Sequence, residues 1–427
     1  MEIVRYPARA EWPALAKRPA MDVSALFDTV RTVLERVRLE GDKAVKAYEE
    51  QFDKVTLTEL RVGKAEMEEA ERLVPDELKC AIRRAMGNIE RFHAAQRFGG
   101  VEVETTPGVR CWQRALPIEK VGLYIPGGTA PLFSTVLMLA VPARIAGCRE
   151  IVLCTPPDKT TGRVHPAVLF AAQAAGVHKV FKAGGIQAIA AMAYGTESIP
   201  KVYKIFGPGN QYVTAAKQWV SLKEVAIDMP AGPSEVEVVA DETANPDFIA
   251  ADFLSQAEHG VDSQAMLVTT SEALIGPVEA AIEAQLARLP RREITEKALA
   301  HSRIVLLRSQ DEVADFTNLY APEHLIVQTA DCEAFAARVE NAGSVFLGPY
   351  TPESAGDYAS GTNHTLPTNG YARAYSGVNL DSFMKKITFQ QITAEGIRSL
   401  GETIRTMAEG ESLEAHRNAV TVRLNAL

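Results

Sequence analysis

The sequence predicts an α/β protein: two layered α/β halves with largely parallel sheets, a helical N-terminal region and a helical C-terminal arm. Three observations carry this. From Val121, short apolar runs alternate with alanine-rich helical stretches. A second series of the same kind begins after Ser234. Before both, the first hundred residues place their apolar side chains at helical spacing.

Along the chain, "ALFDTVRTVLERVRLEGDKAVKAYEEQF" reads as helix broken at Gly41-Asp42, and "KAEMEEAERLVPDELKCAIRRAMGNIERFHAAQ" as helix interrupted near Pro75. The runs "VGLYI", "EIVLC", "HKVFKA" and "KVYKIF" read as strands of a parallel sheet covered by helices. The segment Met229–Ser234, "MPAGPS", marks a boundary. Beyond it come "EVEVVA", a helix bearing "SQAEHG", "QAMLVTT", the helix "EALIGPVEAAIEAQLARL", then "RIVLL" and "SVFLG". After Gly377 the polar, charged mix suggests a helical arm that packs on something else. The expected division is a helical region over 1–120, α/β domains over 121–233 and 234–376, and the arm over 377–427.

A chain of 427 residues can bury a sizeable core, and 47% hydrophobic with 23% charged residues suits a water-soluble protein. The net charge of −9 argues against nucleic acid or an anionic membrane as partner. Cys80, Cys111, Cys148, Cys154 and Cys332 are odd in number and scattered, so free thiols are expected, not a disulfide framework or thiolate zinc cluster. The first twenty residues have no signal-peptide core, and "FSTVLMLAVPARIAG" is interrupted and too short to span a bilayer. A cytoplasmic protein is expected.

Three glycine-rich turns, "YIPGGTAPL", "AGGIQAIA" and "FGPGNQYV", each follow an expected strand and open a helix. Such turns present backbone N–H groups to a phosphate or carboxylate, and three at one sheet edge suggest a ligand cleft, although none matches G-x-G-x-x-G. Of eight histidines, His93, His165, His178 and His301 have ordinary surroundings. His259 stands out because Gln256, one turn earlier, shares its helix face while Glu258 does not. His324 follows Pro322-Glu323, His364 closes a small-residue loop that carries Asp357, and His416 lies on the arm. H-E-x-x-H is absent, so spacing alone does not establish a metal site.

Together, "GLYIPGG", "IFGPGN", "DMPAGPSEV", "LSQAEHG", "APEHL", "SAGDYASGTNHTLPT" and "AHRNAVTVRLNAL" closely resemble, in this order, the histidinol dehydrogenases. The resemblance covers nearly the whole chain and is weakest in the first twenty residues. It implies incomplete Rossmann-like sheets, an N-terminal region packing on the second α/β domain, and a homodimer with one Zn2+ per subunit. It also implies oxidation of L-histidinol through the aldehyde to L-histidine, the last step of histidine biosynthesis, with two NAD+ consumed. Gln256, His259, Asp357 and His416 would hold the zinc, and Glu323 and His324 would be the catalytic bases. Ser234, Gln256, His259, His324, Asp357, Glu411 and His416 would contact substrate, and Tyr124, Gln187 and Asn210 the NAD. The arm would complete the neighbouring subunit's site.

The chemistry suits these residues. A neutral Gln beside two imidazoles and one carboxylate leaves a positive metal site fit for a nitrogen chelate such as histidinol's imidazole and amine. A base near neutral pKa, His324, fits removal of the alcohol proton, and Glu323 fits activation of water at the aldehyde stage. Adjacent strand residues face opposite ways, so Pro322-Glu323-His324 must lie on an irregular turn if both serve one pocket. Glu411 and His416, five apart, suit one pocket only if Glu411 precedes the helix of His416 or opens it. A zinc hydrolase would have no use for three cofactor turns; a non-catalytic metal-binding module would not need the Glu323–His324 pair. A paralogue oxidising another small alcohol is the remaining competitor.

Overall fold

The computed structural model describes residues 1–19, 23–127, 130–230 and 232–427. Gly128 and Thr129 of the first glycine-rich turn and Ala231 of the expected boundary therefore lie outside the described residues. The chain opens with β1 (Glu2–Arg5), α1 (Trp12–Leu15), α2 (Phe27–Glu40), α3 (Asp42–Tyr48), a π-helical turn (Glu49–Asp53), α4 (Lys64–Leu73) and α5 (Asp76–Ala94). The expected breaks are there: Gly41 takes φ 55° between α2 and α3, and Val74-Pro75 separates α4 from α5.

The hairpin β2 (Val101–Thr106) and β3 (Val109–Pro117) leads to the first βα series: β4 (Lys120–Tyr124), α6 (Phe133–Ala146), β5 (Glu150–Thr155), α7 (Pro166–Ala174), β6 (Lys179–Lys182), α8 (Gly185–Tyr194), β7 (Lys204–Phe206), α9 (Gln211–Ser221) and β8 (Ala226–Ile227). The second comprises β9 (Glu235–Ala240), α10 (Pro246–Ala257), β10 (Gln264–Thr269), α11 (Glu272–Leu286), α12 (Arg292–Leu299), β11 (Arg303–Leu306), α13 (Gln310–Tyr320), β12 (His324–Gln328), α14 (Cys332–Ala336) and β13 (Ser344–Leu347). It is followed by α15 (Glu353–Tyr358), β14 (Met384–Ile392), α16 (Ala394–Gly410) and α17 (Glu414–Asn425).

Two parallel sheets result, ordered β6-β5-β4-β7-β8 and β1-β11-β10-β9-β12-β13. Apart from β1, both have the doubly wound order in which the strand path reverses, at β4/β7 in the first and at β9/β12 in the second. Alternate residues of the first sheet feed two cores. Val121, Leu123 and Phe206 face α4 to α7, while Val152, Phe181 and Ile205 face α2, α3, α8 and α9. The second sheet packs Val236, Val238 and Ile326 on α10 to α12, and Val239, Leu325 and Val327 on Trp12, α13 and α14.

Three expectations need correction. The region 1–120 is not wholly helical, because β1, β2 and β3 lie in it. Nor does it pack chiefly on the second α/β domain: β1 and Trp12 do, but α2 to α5 cover the first sheet. The apolar face of α2 (Val30, Val33, Leu34, Val37) meets the small, flat surface of Ala188, Ile189 and Ala216, with each buried aliphatic contributing about 1.5–3 kcal/mol. The third correction concerns the arm, which contains β14; this strand pairs antiparallel with β3 and closes a three-stranded sheet with β2. All five cysteines are free, and among the described residues no helix is long and apolar enough to cross a membrane.

Candidate active site

The site gathers at the amino ends of β9 and β12, the reversal point of the second sheet. Helix α13 stops at Ala321, whose φ of 53° is left-handed, and Pro322 carries the chain to Glu323 just before β12 begins at His324. Gly343 N–H holds the Pro322 carbonyl (2.9 Å) and Ser344 N–H the Glu323 carbonyl (2.9 Å). This irregular entry turns both side chains to one side: Glu323 Oε2 accepts from the Glu235 N–H at 2.9 Å and lies 3.6 Å from His324 Nδ1. Both residues are buried.

Helix α10, started by Asn245 as cap and Pro246 at its first position, delivers Gln256 in its last turn. The helix ends at Ala257, but His259 N–H still donates to the Gln256 carbonyl (3.2 Å), which continues the turn to His259. With its nitrogen toward Glu353, the buried Gln256 amide donates to that carboxylate (3.1 Å to Oε2) and accepts from Glu235 N–H (3.0 Å). Glu353 and Asp357, four apart on α15, share one face. One ligand atom each from His259, Glu353 and Asp357 lie within 4.8 Å of one another. An imidazole and two carboxylates at that separation are a donor set for a zinc-sized cation.

The charges explain why a cation belongs there. His324 Nε2 lies 3.6 Å from Asp357 Oδ1 and has no hydrogen-bond partner, and Nδ1 lies 4.0 Å from Glu353 Oε1. Burial alone would lower the His324 pKa, but Glu353, Glu323 and Asp357 together push it up to about 10. Burial pushes Glu323 and Glu353 up to about 8 and Asp252 to about 7. Four carboxyl groups crowd one buried space, and each disfavours charge on the others while favouring positive charge beside them.

Opposite this cluster is the carboxyl edge of the first sheet. Tyr124 ends β4 and its hydroxyl accepts from Gly185 N–H (3.1 Å); Gln187, in α8, donates to Glu49 (2.8 Å) and Asp53 (3.2 Å); Asn210 caps α9 through Tyr212 and Val213 N–H. Gly207 (φ 127°) lets its turn pass against the Tyr124 carbonyl, which any Cβ would strike. The buried pair Lys217–Asp228 fixes this turn from beneath, accepting from Gly207 N–H and donating to its carbonyl. At the start of α6, Thr135 Oγ1 lies 3.1 Å from His364 Nε2, whose Nδ1 is 2.9 Å from the Asp357 carbonyl. Through these two contacts the start of α6, which follows β4, reaches the backbone of Asp357.

Ser234 is half-buried beside Glu235 at the start of β9. His416 is exposed on α17, which packs on α16, and does not join the His259–Glu353–Asp357 group. Glu411 follows α16 and precedes α17, so it comes before the helix of His416. Within one chain, then, five expected residues converge (Glu323, His324, Gln256, His259, Asp357) and the two of the arm stay on the surface. Sequence reasoning missed Glu353, whose four-residue spacing from Asp357 was the available signal, and Glu235, whose backbone ties the cluster together. His93 proves structural: it is buried, with Nδ1 at 2.9 Å from the Ile89 carbonyl.

Comparison with known proteins gives one answer. The family model described as histidinol dehydrogenase matches residues 16–424. The chain is 68% identical over 427 residues to the histidinol dehydrogenase of Bacteroides thetaiotaomicron, covering all of both chains. To that of Escherichia coli strain K12 it is 52% identical over 416 residues, covering 97% of this chain and 95% of the other. The crystal structure of histidinol dehydrogenase from Elizabethkingia anophelis, at 55% identity, superposes with a TM-score of 0.98 over 100% of this chain and 98% of that one.

Proposed function

The chain belongs to the histidinol dehydrogenase family, an oxidoreductase acting on an alcohol and an aldehyde, and from that premise we propose its full reaction. It oxidises L-histidinol through L-histidinaldehyde to L-histidine, the last step of L-histidine biosynthesis, in the cytoplasm, with one zinc per subunit and two NAD+ per product. The observation that carries this reading is the placement of Glu323 and His324 beside the His259–Glu353–Asp357 group, which the start of α6 reaches through Thr135 and His364.

His259 and Asp357, with Gln256 against Glu353, would hold the zinc, and His416 of a second subunit would complete it. Zinc held there would supply positive charge to offset the carboxylates, lower the pKa of His324 and orient the substrate's imidazole and amine nitrogens. NAD+ held near Tyr124, Gln187 and Asn210 would supply the hydride acceptor at both oxidations.

The chain's own groups handle the protons. His324, with Nε2 unpartnered and aimed into the cluster, takes the hydroxyl proton as the carbinol carbon loses its hydride. At the aldehyde stage Glu323 removes a proton from water as the oxygen adds to the carbonyl carbon. Burial keeps the pKa of Glu323 near 8, so it can give and take a proton near neutrality. Once its first proton has passed to solvent, His324 takes the proton remaining on the hydrated aldehyde during the second hydride loss. Ser234 and Glu411 would contact the substrate at the rim, and the closed setting holds the aldehyde between steps.

Purified protein given histidinol and NAD+ tests this directly, with NADH and histidine quantified together. Two NADH per histidine are expected; histidine with one NADH, or no NADH at all, overturns the reading.

A further inference from the structure

We propose that Arg18, in the N-terminal segment, is a positioning residue for the Glu323–His324 pair, an inference that rests on the proposed roles of those two residues. Its guanidinium is largely buried and forks onto Glu235, with Nε to Oε2 and Nη2 to Oε1 both at 2.8 Å. The same group donates to the carbonyls of Tyr320 (2.5 Å) and Ala321 (3.3 Å) and to that of Ala16 (3.3 Å), and stacks 3.8 Å from the Tyr320 ring centroid.

Three of these partners, Glu235, Tyr320 and Ala321, are one step from the Glu323–His324 pair. Tyr320 and Ala321 are where α13 ends, and their carbonyls have no further turn of helix to accept from. Ala321 is the left-handed residue from which Pro322, Glu323 and His324 follow. Glu235 is the residue whose N–H holds the Glu323 carboxylate, and whose carbonyl lies 3.4 Å from His324 Nδ1. One guanidinium thus ties the side chain of Glu235 to the backbone entering the catalytic turn. It fixes the spacing between the Glu235 N–H and the carboxylate it holds. Only a planar fork can do this; an ammonium reaches one side at a time. Glu235 is 1% exposed, so its charge has been taken from water and needs this partner.

A purely structural pair, holding the N-terminal segment to the second domain, would affect stability alone. The experiment therefore reads kcat on folded protein, with thermal midpoints measured in parallel. Wild type is assayed first: if it makes no NADH from histidinol, the proposed function fails and Arg18 is not in question. With wild type active, Arg18→Lys is expected to lower kcat roughly 10- to 100-fold and to shift the pH–rate profile, while KM for histidinol and NAD+ stays within about threefold. In the Glu323→Gln background, adding Arg18→Lys should change kcat less than about threefold, because Arg18 acts through Glu323. Arg18→Met/Glu235→Gln removes both buried charges; it should recover stability but not kcat, since the tie to Tyr320 and Ala321 stays broken. A folded Arg18→Lys enzyme with wild-type kcat, fully additive losses with Glu323→Gln, or kcat recovering along with stability would each overturn the proposal.

Discussion

His324 shows how much a single residue depends on its surroundings. Beside the carboxyl groups of Glu353, Glu323 and Asp357 its pKa is pushed up to about 10 against the effect of burial, so positive charge bound among those groups would lower it toward the range of a base. We expect His324→Ala to retain its zinc, read by elemental analysis, while kcat falls roughly 10²–10⁴-fold. Loss of zinc together with activity would make His324 a ligand instead. Glu353 has the opposite standing. It carries the Gln256 amide and the Ser255 hydroxyl (3.3 Å), so Glu353→Gln should weaken zinc retention against a competing chelator by about 10- to 100-fold, and unchanged retention would remove it from the metal's support. At this scale the site was partly legible. Gln256, His259, Glu323, His324 and Asp357 sit in motifs with unusual local chemistry. Glu353 offers only its four-residue spacing from Asp357 as a signal, and Glu235 offers none, because its importance is a matter of which distant group lies beside it. Arg18 falls in the stretch where the resemblance is weakest, and nothing in its sequence neighbourhood distinguishes it from a surface arginine.

At the scale of elements, helices and buried strands were readable because their apolar residues repeat with the period of the structure they form. The hairpin β2–β3 and the strand β14 were not, because they are largely exposed and show no continuous apolar face. A usable signal was Pro107-Gly108 between two runs of alternating residues; Gly108 takes φ 79°, as a tight turn requires. Periodicity gave no partner either, which is why α2 to α5 were assigned to the wrong sheet. The π-helical turn Glu49–Asp53 carries a testable property of its own. Glu49 is fully buried and accepts from Gly184 N–H (2.8 Å) and Gln187, yet one of its oxygens has no partner. Burial, and after it the charge of Asp53, raises its pKa from 4.5 to about 7. The folded state therefore prefers the protonated acid. Below pH 4.5 both states hold the proton and the contribution to stability is complete. Between pH 4.5 and 7 the unfolded chain releases it first, and stability is lost as pH rises through that window. Glu49→Gln cannot titrate. The stability of wild type relative to this variant should fall by about 3 kcal/mol between pH 4 and 8, measured by denaturant midpoints. A pH-independent difference would place the Glu49 pKa at its ordinary value.

The whole molecule raises the question of what completes the site. One chain brings His259, Glu353 and Asp357 together, with Gln256 beside them, while His416 and Glu411 remain on an arm whose α17 leans on α16 and leaves Met407, Leu413 and Val422 exposed. No sequence pattern can say which copy of a chain a residue serves, so the shared arrangement comes from the resemblance alone. A two-fold dimer in which each arm reaches the other subunit has a quantitative consequence. His416→Ala should lose zinc from every site of its own homodimer, and Glu323→Ala should keep zinc yet turn over slowly. When the two are mixed and allowed to exchange, half of the dimers are mixed. Each mixed dimer holds one doubly damaged site and one intact site, built from the Glu323 of one chain and the His416 of the other. About a quarter of wild-type activity per subunit should therefore return, and about a quarter of the sites should be doubly defective. If each site were built from one chain, the mixture would show only the average of the two inactive parents. Subunit exchange is verified by mass tagging, so a mixture that exchanges but stays inactive would assign His416 to its own chain's surface and leave the zinc with no arm to complete it.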